Sequence, residues 1–567
     1  MASSAGVQSS DAPPPLSPRK KLHGRAFYES IGSPKFIVAP MVDQSEFAWR
    51  MLSRSFLPES QRASLLAYSP MLHARHFASS QKYRDTHFQP TRVPLTDTVH
   101  PLSNPLPPPF LDGNPSLDRP LFVQFCANDP SSLAAAAQLV APYCDAVDLN
   151  LGCPQGIARK GHYGAFLQED QALIFSLIRT LHEQLPIPVT AKIRLLETKE
   201  ASLAYARNVL AAGASILTVH GRRREQKGHL TGLADWAMIR YLRDNLPPET
   251  VLFANGNILQ HGDLEKCLEA TGADGVMSAE GNLSDPGIFA EPPDVGDEGR
   301  EYWRGRDGRG GWRVDAVFRR YMDILHRLVL EQDPPVRREL FMVGDDTAWI
   351  DAAEAGEEGD GQPPAKKRKH DGGGGSGSGV GVGGGGKSEK GVSSPNFVAV
   401  QAHLFHMLRH FVSRHTDVRD RLGRARMGDI STYEAILAMV ERRVAQGLLE
   451  YERTDGKSVE DTKEVEVQEG EEEEEDDPES SVRAVRECKR PWWVIQPIIR
   501  PLPKEALAKG AVQVKKQKAV KGPVESGKRK AEAEGEVVVE AGDGSGHAAT
   551  EALETTVSYP QSQLVSG

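Results

Sequence analysis

"AVDLNLGCPQGIARKGHYGAFLQEDQALIFSLIRTLHEQLPIPVTAKIRL", residues 146–195, holds one full repeat of the pattern that organises this chain. The β-rich apolar run AVDLNL ends in glycine and a polar loop. QALIFSLIRTLHEQL then carries apolar residues at helical spacing, and PVTAKIRL returns as a second strand. The unit recurs from about Phe36 to Gly281. Its strand runs are FIVAPMV, LLAYSPML, LFVQFCA, AVDLNLGCP, PVTAKIRL, SILTVHGR, LFANGNI and GVMSAEG, separated by helix-like segments such as SLAAAAQLVAPY, SLAYARNVLAAG and DLEKCLEATG. Eight strands alternating with helices in roughly 250 residues predict an α/β fold, a (β/α)8 TIM barrel. A doubly wound sheet, the rival, rarely needs eight such units.

Composition divides the rest of the chain. Residues 1–30 read as a disordered leader with no hydrophobic core for a secretory signal. The barrel takes 31–290, interrupted by the long, proline-rich stretch Arg75–Pro120, read as an insertion over the active face. Residues 291–350 connect onward through an amphipathic helix, VDAVFRRYMDILHRLVLEQ (314–332), and 351–394 is a disordered glycine-rich linker. A small C-terminal all-α domain follows at 395–453. The tail 454–567 reads as mostly disordered, apart from RPWWVIQPIIRPLP (490–503), too apolar and aromatic to stay unpacked.

The net charge of −10 over 567 residues is not spread evenly: Glu464–Glu479 is an almost unbroken acidic run. Overall charge therefore does not decide the partner. The five cysteines (Cys126, Cys144, Cys153, Cys267, Cys488) show no CxxC or Cys/His spacing, so neither a structural metal site nor a disulfide framework is expected. No apolar run approaches the roughly 18 residues of a membrane span. PPAKKRKHD (363–371), with its basic cluster Lys366–Lys369, has the form of a nuclear import signal, so a cytoplasmic or nuclear location is expected.

In such a barrel the C-terminal ends of the strands build the active site. Here they carry Pro40-Met41-Val42, Gln124, Asn150 with Cys153, Lys192, His220 with Arg222, Asn255-Gly256-Asn257 and Ala279-Glu280-Gly281. The two glycine turns fall on strands seven and eight, where barrels often hold a phosphate, and so suggest a phosphate-tailed cofactor. Lys192 either meets an anion, such as a reduced flavin ring, or snorkels to water. His220 reads as a ligand-facing group or a satisfied core histidine, and Gln124 as a partner for a ring carbonyl or a loop cap. Gly152 and Pro154 hold Cys153 in a loop, where a thiol can act as nucleophile or acid. With an ordinary pKa of about 8.5, a thiol is mostly protonated at neutral pH and can donate a proton beside a flavin.

APMVDQSEFAWR, SPMLHARHF, QFCANDP, DLNLGCPQGIARKGHYGAFL, AKIRL, VHGRRREQKG, ANGNI and MSAEGNL together resemble the tRNA-dihydrouridine synthases, specifically the eukaryotic type acting on uridines 16 and 17 of the D-loop. AHLFHMLRHFVSRHTDVRDRL and PWWVIQPIIRPL extend the resemblance past the barrel. It implies FMN contacts from Pro40, Met41, Val42, Gln124, Lys192, His220, Asn255, Gly256, Asn257, Ala279 and Glu280, and NADPH as reductant. Cys153 would protonate C5 of uracil after hydride reaches C6, with Asn150, Lys160 and Arg222 facing the substrate.

His403–Arg426 offers six arginines against two aspartates, a net of +4, plus four histidines, which suits the phosphates of a tRNA partner. Two other readings stay open: an FMN barrel oxidoreductase on a small-molecule pyrimidine, and a non-catalytic RNA-binding protein. Oligomeric state is not legible.

Overall fold

The computed structural model describes residues 21–95, 107–350, 394–460, 484, 488 and 490–500. Eight parallel strands close a barrel: β1 (Phe36–Val38), β2 (Leu65–Tyr68), β3 (Leu121–Cys126), β4 (Ala146–Leu151), β5 (Val189–Leu195), β6 (Ile216–Arg223), β7 (Val251–Asn255) and β8 (Gly275–Ser278). Closure runs through Ala67 opposite Leu121 at one seam and Phe36 opposite Val276 at another. Strands buried on both faces need near-continuous apolar runs, and β3 to β5 are buried along their whole length. After β3 to β6, polar side chains cap the helices that follow: Asp129 accepts from Ser132 N–H, Asp170 from Leu173, Thr198 from Ala201 and Asp235 from Met238.

Three expectations change. Residues 24–30, assigned to a disordered leader, form helix α1 (Gly24–Ser30). Phe27 stacks on Phe122 with ring centres 5.8 Å apart, and Tyr28 Oη donates to the Asp274 carbonyl, so α1 covers the N-terminal mouth of the barrel. Seven residues are too few to show a helical period. Only the first part of the proline-rich insertion stays at the active face, where Tyr83 Oη accepts His73 N–H and His73 packs edge-on against Tyr163 beside Cys153. After helices at Ala74–Ser79 and Gln81–His87, the chain returns beneath the barrel, and Asp112 and Asp118 pair there with Arg50 and Arg54 of α2 (Phe47–Ser55). Arg54 also donates to the carbonyls of Leu65 and Pro120, which open β2 and precede β3.

Third, in the C-terminal all-α region FVAVQAHLFHMLRHFVSRHTDVRDRL and STYEAILAMVERRVAQGLLEYE read as two helices, but the first is broken into short pieces at Val400–Met407, Arg409–Arg414 and Thr416–Arg424 before the long helix Ile430–Arg453. The amphipathic helix is α-helical only over Val314–Ile324 and ends in a π turn at Leu325–Val329. It sits between α2 and the long helix: Arg320 donates to the Ser55 carbonyl at 2.6 Å and Arg319 pairs with Glu441 at 2.7 Å.

The helical region docks on the first and last barrel units. His403 stacks on Trp49 at 3.9 Å and hydrogen-bonds Glu46, the cap of α2, at 3.0 Å, while Trp49 donates to Asn282 just after β8. Trp493, Val494 and Ile495 are buried. The residues of the linker, the basic cluster Lys366–Lys369, the acidic run and most of the tail lie outside the described residues. No described helix is long and apolar enough to cross a membrane.

Candidate active site

Alternate residues on a strand point the same way, so the inward positions of neighbouring parallel strands meet in register. The register sets Gln124 beside Asp148, Asp148 beside Thr190, Asn150 beside Lys192 and His220 beside Asn255. Between them runs a continuous chain of hydrogen bonds. Thr190 Oγ1 donates to Asp148 Oδ1 at 2.6 Å, and Gln124 Nε2 donates to Asp148 Oδ2 at 2.8 Å. Asn150 Nδ2 donates to Gln124 Oε1 at 2.9 Å, and Asn150 Oδ1 accepts the backbone N–H of Cys153 at 2.9 Å and of Gly152 at 3.1 Å. The carboxylate fixes which end of Gln124 points where, and Gln124 then fixes Asn150. Burial raises the Asp148 carboxyl to about 6 against the stabilising bonds from Thr190 and Gln124.

The loop bearing Cys153 is held from both sides. Arg194 Nε donates to the Gly152 carbonyl at 2.7 Å, and the Cys153 carbonyl accepts Ala165 N–H at 3.1 Å. Gly164 makes this closure possible: it has φ +65°, and a Cβ there would lie 2.8 Å from the Cys153 carbonyl oxygen. The Cys153 side chain is not at the loop surface but 1 % exposed, in a small apolar cluster with Cys126, Ala158 and Tyr163, flanked by Met71 and Phe166. None of the five cysteines forms a disulfide.

Lys192 is 4 % exposed. Burial brings its ammonium down to about 7, Arg194 pushes the same way, and Asp148 and Cys153 oppose. His220 accepts at Nε2 from Arg222 Nη1 at 2.9 Å, which leaves its proton on Nδ1. Burial, then Arg194, Lys192 and Arg222, holds the imidazole well below its ordinary range, hence neutral. Its Nδ1 is buried with no partner among the described residues, and so is Asn255 Oδ1, while Asn255 Nδ2 donates to the Met277 carbonyl.

After β7, Gly256 (φ +112°) and Asn257 (φ +61°) are both left-handed; a Cβ on Gly256 would strike Ala234 Cβ at 2.7 Å. Ser278 Oγ donates to the Ile258 carbonyl and ties this turn to the one carrying Ala279 and Glu280. Pro40 and Met41 are buried after β1, with Val42 exposed, and Met41 N–H donates to Ser45 Oγ.

Not every expected contact faces the mouth. Gln124 and Asn150 are engaged with each other and with Asp148 or Cys153. Arg222, expected on the substrate, is buried and turned inward: its donors go to His220, Asn257 and the carbonyls of Thr231 and Gly232, and burial lowers it to about 9. Lys160 is exposed on the short helix Gly156–Gly161. Asp148, Thr190 and Arg194 were missed by sequence reasoning. The available signal was polar residues recurring every second position in otherwise apolar strands. Among the described residues, no group of three or more His, Cys, Asp or Glu side chains is placed to hold a metal.

A buried lysine, an inward donor at His220 Nδ1, an inward acceptor at Asn255 Oδ1 and a left-handed turn after β7 fit a flat, polar-edged, anionic group such as FMN. Residues 37–302 match the family model described as dihydrouridine synthase. The tRNA-dihydrouridine(16/17) synthase, NAD(P)(+), of Schizosaccharomyces pombe is 38% identical over 493 residues, covering 85% of this chain and 92% of that one. This chain belongs to the dihydrouridine synthase family. The synthase of the same name from Saccharomyces cerevisiae is 58% identical over 270 residues, 48% of this chain and 57% of its own length. The similarly named Mus musculus protein is 44% identical over 286 residues, 50% of this chain and 54% of its own. In the Schizosaccharomyces pombe synthase the alignment thus extends well beyond the family domain.

Proposed function

We propose that this dihydrouridine synthase reduces the C5=C6 bond of uridine in tRNA, at D-loop positions 16 and 17, with FMN as bound cofactor and NADPH as reductant. The observation that carries the mechanism is the convergence of Cys153, Lys192 and His220 at one barrel mouth, with the Cys153 backbone held on both sides. FMN, when bound, supplies hydride to C6. The Cys153 Sγ–H supplies the proton to C5, so one C–H bond forms at each carbon as the π bond is lost. Lys192 and the His220 Nδ1–H would hold the flavin ring, the lysine offering charge against an anionic reduced form. Asn255 offers its unfilled oxygen, and Pro40, Met41, Gly256, Asn257, Ala279 and Glu280 line the rest of the site. Asn150 positions Cys153 through its backbone N–H. Around the thiol, Met71, Tyr163 and Phe166 exclude water from the proton that is transferred.

An RNA substrate is supported by the C-terminal helices. Arg409, Arg414, Arg419, Arg421, Arg424 and Arg426 are all exposed. The histidines counted with them add little charge to that surface: His403 is buried against Trp49, burial lowers His406 and His415 to about 4, and burial and Arg409 lower His410 below its ordinary value. The test is dihydrouridine at positions 16 and 17 in tRNA from cells lacking the gene, complemented with wild type or Cys153→Ala. Wild type restores the modification, and the variant retains flavin but loses the reaction by about a hundredfold or more. Failure of both to restore it, with FMN still bound, would remove the substrate assignment.

A further inference from the structure

Arg500 reaches the barrel mouth from far along the chain. The segment that carries it, 490–500, is seated between the barrel and the C-terminal helices. Val314 N–H donates to the Trp493 carbonyl at 2.9 Å and Ile495 N–H to the Trp312 carbonyl at 2.8 Å. Trp492 and Trp493 lie over Gly447, where a Cβ would come within 2.7 Å of the Trp492 ring. Five residues past Ile495, Arg500 forms an ion pair with Glu280, the residue that opens the turn after β8. Arg500 Nε is buried and has no acceptor among the described residues. Its charge also presses on Arg222 and His220, so the guanidinium lies close to the β6 end as well.

Glu280 alone would repel a phosphate at the β7–β8 turns. A guanidinium paired with it removes that repulsion, and with five donors in a planar fork it has bonds to spare for a second anion. We propose that Arg500 binds the terminal phosphate of the flavin, which makes the C-terminal segment part of the cofactor site. The assignment rests on the FMN reading above. It makes residues 37–302 an incomplete flavin site without the tail that seats Arg500.

The test uses the full chain freed of flavin, with FMN and riboflavin affinities measured by fluorescence quenching for wild type, Arg500→Gln and Arg500→Lys. Riboflavin lacks only the phosphate. Arg500→Gln is expected to weaken FMN about tenfold or more and leave riboflavin unchanged, with Arg500→Lys keeping part of the affinity as a point charge. Unchanged affinity for both flavins would overturn the assignment. Equal losses for both would also overturn it, since the residue would then only shape the pocket. A loss confined to tRNA affinity, with the FMN-to-riboflavin ratio intact, would transfer Arg500 to the RNA backbone. Wild-type protein that bound neither flavin would take down the cofactor reading itself, a result distinct from the other three.

Discussion

The two ends of the barrel each bury a cluster of charges, and the clusters are built differently. Beneath the barrel, Arg50 and Arg54 meet Asp112 and Asp118. Arg50 is bidentate to Asp118, and Arg54 spends its remaining reach on two carbonyls. Opposite charges there are matched two against two, although Arg54 Nε has no acceptor among the described residues. At the mouth, Lys192, Arg194, Arg222 and Arg500 outnumber the carboxylates set against them among the described residues, Asp148, Glu225 and Glu280, and His220 Nδ1 and Asn255 Oδ1 are left over. A buried excess of positive charge is costly in an isolated chain. The lower cluster holds the end of the insertion under the barrel; the positive excess of the upper one suits the anionic cofactor proposed above.

Breaking the matched cluster should have the largest effect on stability. Asp118→Ala leaves the buried Arg54 without a carboxylate and Arg50 with Asp112 alone, a change that costs about 3–5 kcal/mol when one partner of a buried pair is removed. Against an ordinary stability of about 5–15 kcal/mol this should lower Tm sharply or prevent folding. Substituting all three, Arg50→Met, Arg54→Met and Asp118→Leu, should recover much of the loss, because no charge is then stranded except Asp112. Denaturant unfolding of both variants checks this. Equal stability of Asp118→Ala and wild type would show that the lower cluster is not matched.

The open cluster should respond to pH in the opposite sense from a satisfied pair. Lys192 has an ordinary pKa of 10.5 and falls to about 7 in the folded chain. Between those values the unfolded chain binds the proton that the folded chain has lost. Stability therefore rises with pH as the buried charge disappears. Flavin-free wild type should gain Tm from pH 7 to 9. Lys192→Met should be the more stable protein at pH 7 and should lack that part of the slope. Thermal melts of both proteins at three pH values would read it. An identical slope in the variant would mean that the lysine is already paired.

Much of this was legible in sequence because parallel strands buried on both faces leave little choice of residue. The eight apolar runs fall on the eight strands, and their C-terminal ends name the mouth. What escaped was cooperation across distance. Asp148 looks like any strand residue until register brings Thr190 and Gln124 to its two oxygens. Arg222, which the family resemblance sets facing the substrate, is turned inward by its neighbours His220 and Asn257. The insertion has no period to read, and its aspartates find arginines that precede them by more than sixty residues. Arg500 lies in an apolar tail with nothing local to mark it.

Asp148→Asn should give the smallest of these effects and the finest separation of positioning from binding. The carboxylate accepts on both oxygens, from Thr190 and from Gln124 Nε2. An asparagine accepts on one only. If that oxygen stays with Thr190, its amide faces Gln124, which must turn over and present Oε1; Gln124 Nε2 then meets Asn150 Nδ2, and Asn150 must turn in response. The Cys153 N–H loses its acceptor; no hydrogen bond to Lys192, His220 or Asn255 is removed, though Lys192 loses the Asp148 charge that favours its ammonium. Losing one such bond is worth about 1 kcal/mol, so the single-turnover rate should fall about fivefold with FMN affinity nearly unchanged. The same logic sets a pH signature. Protonation of Asp148 below about 6 turns one of its acceptors into a donor and disturbs the same chain of bonds. The wild-type rate should therefore bend downward below pH 6, and Asp148→Asn should lack that bend. A variant with a normal rate and the wild-type profile would show that Asn150 holds Cys153 without help from the Asp148 carboxylate.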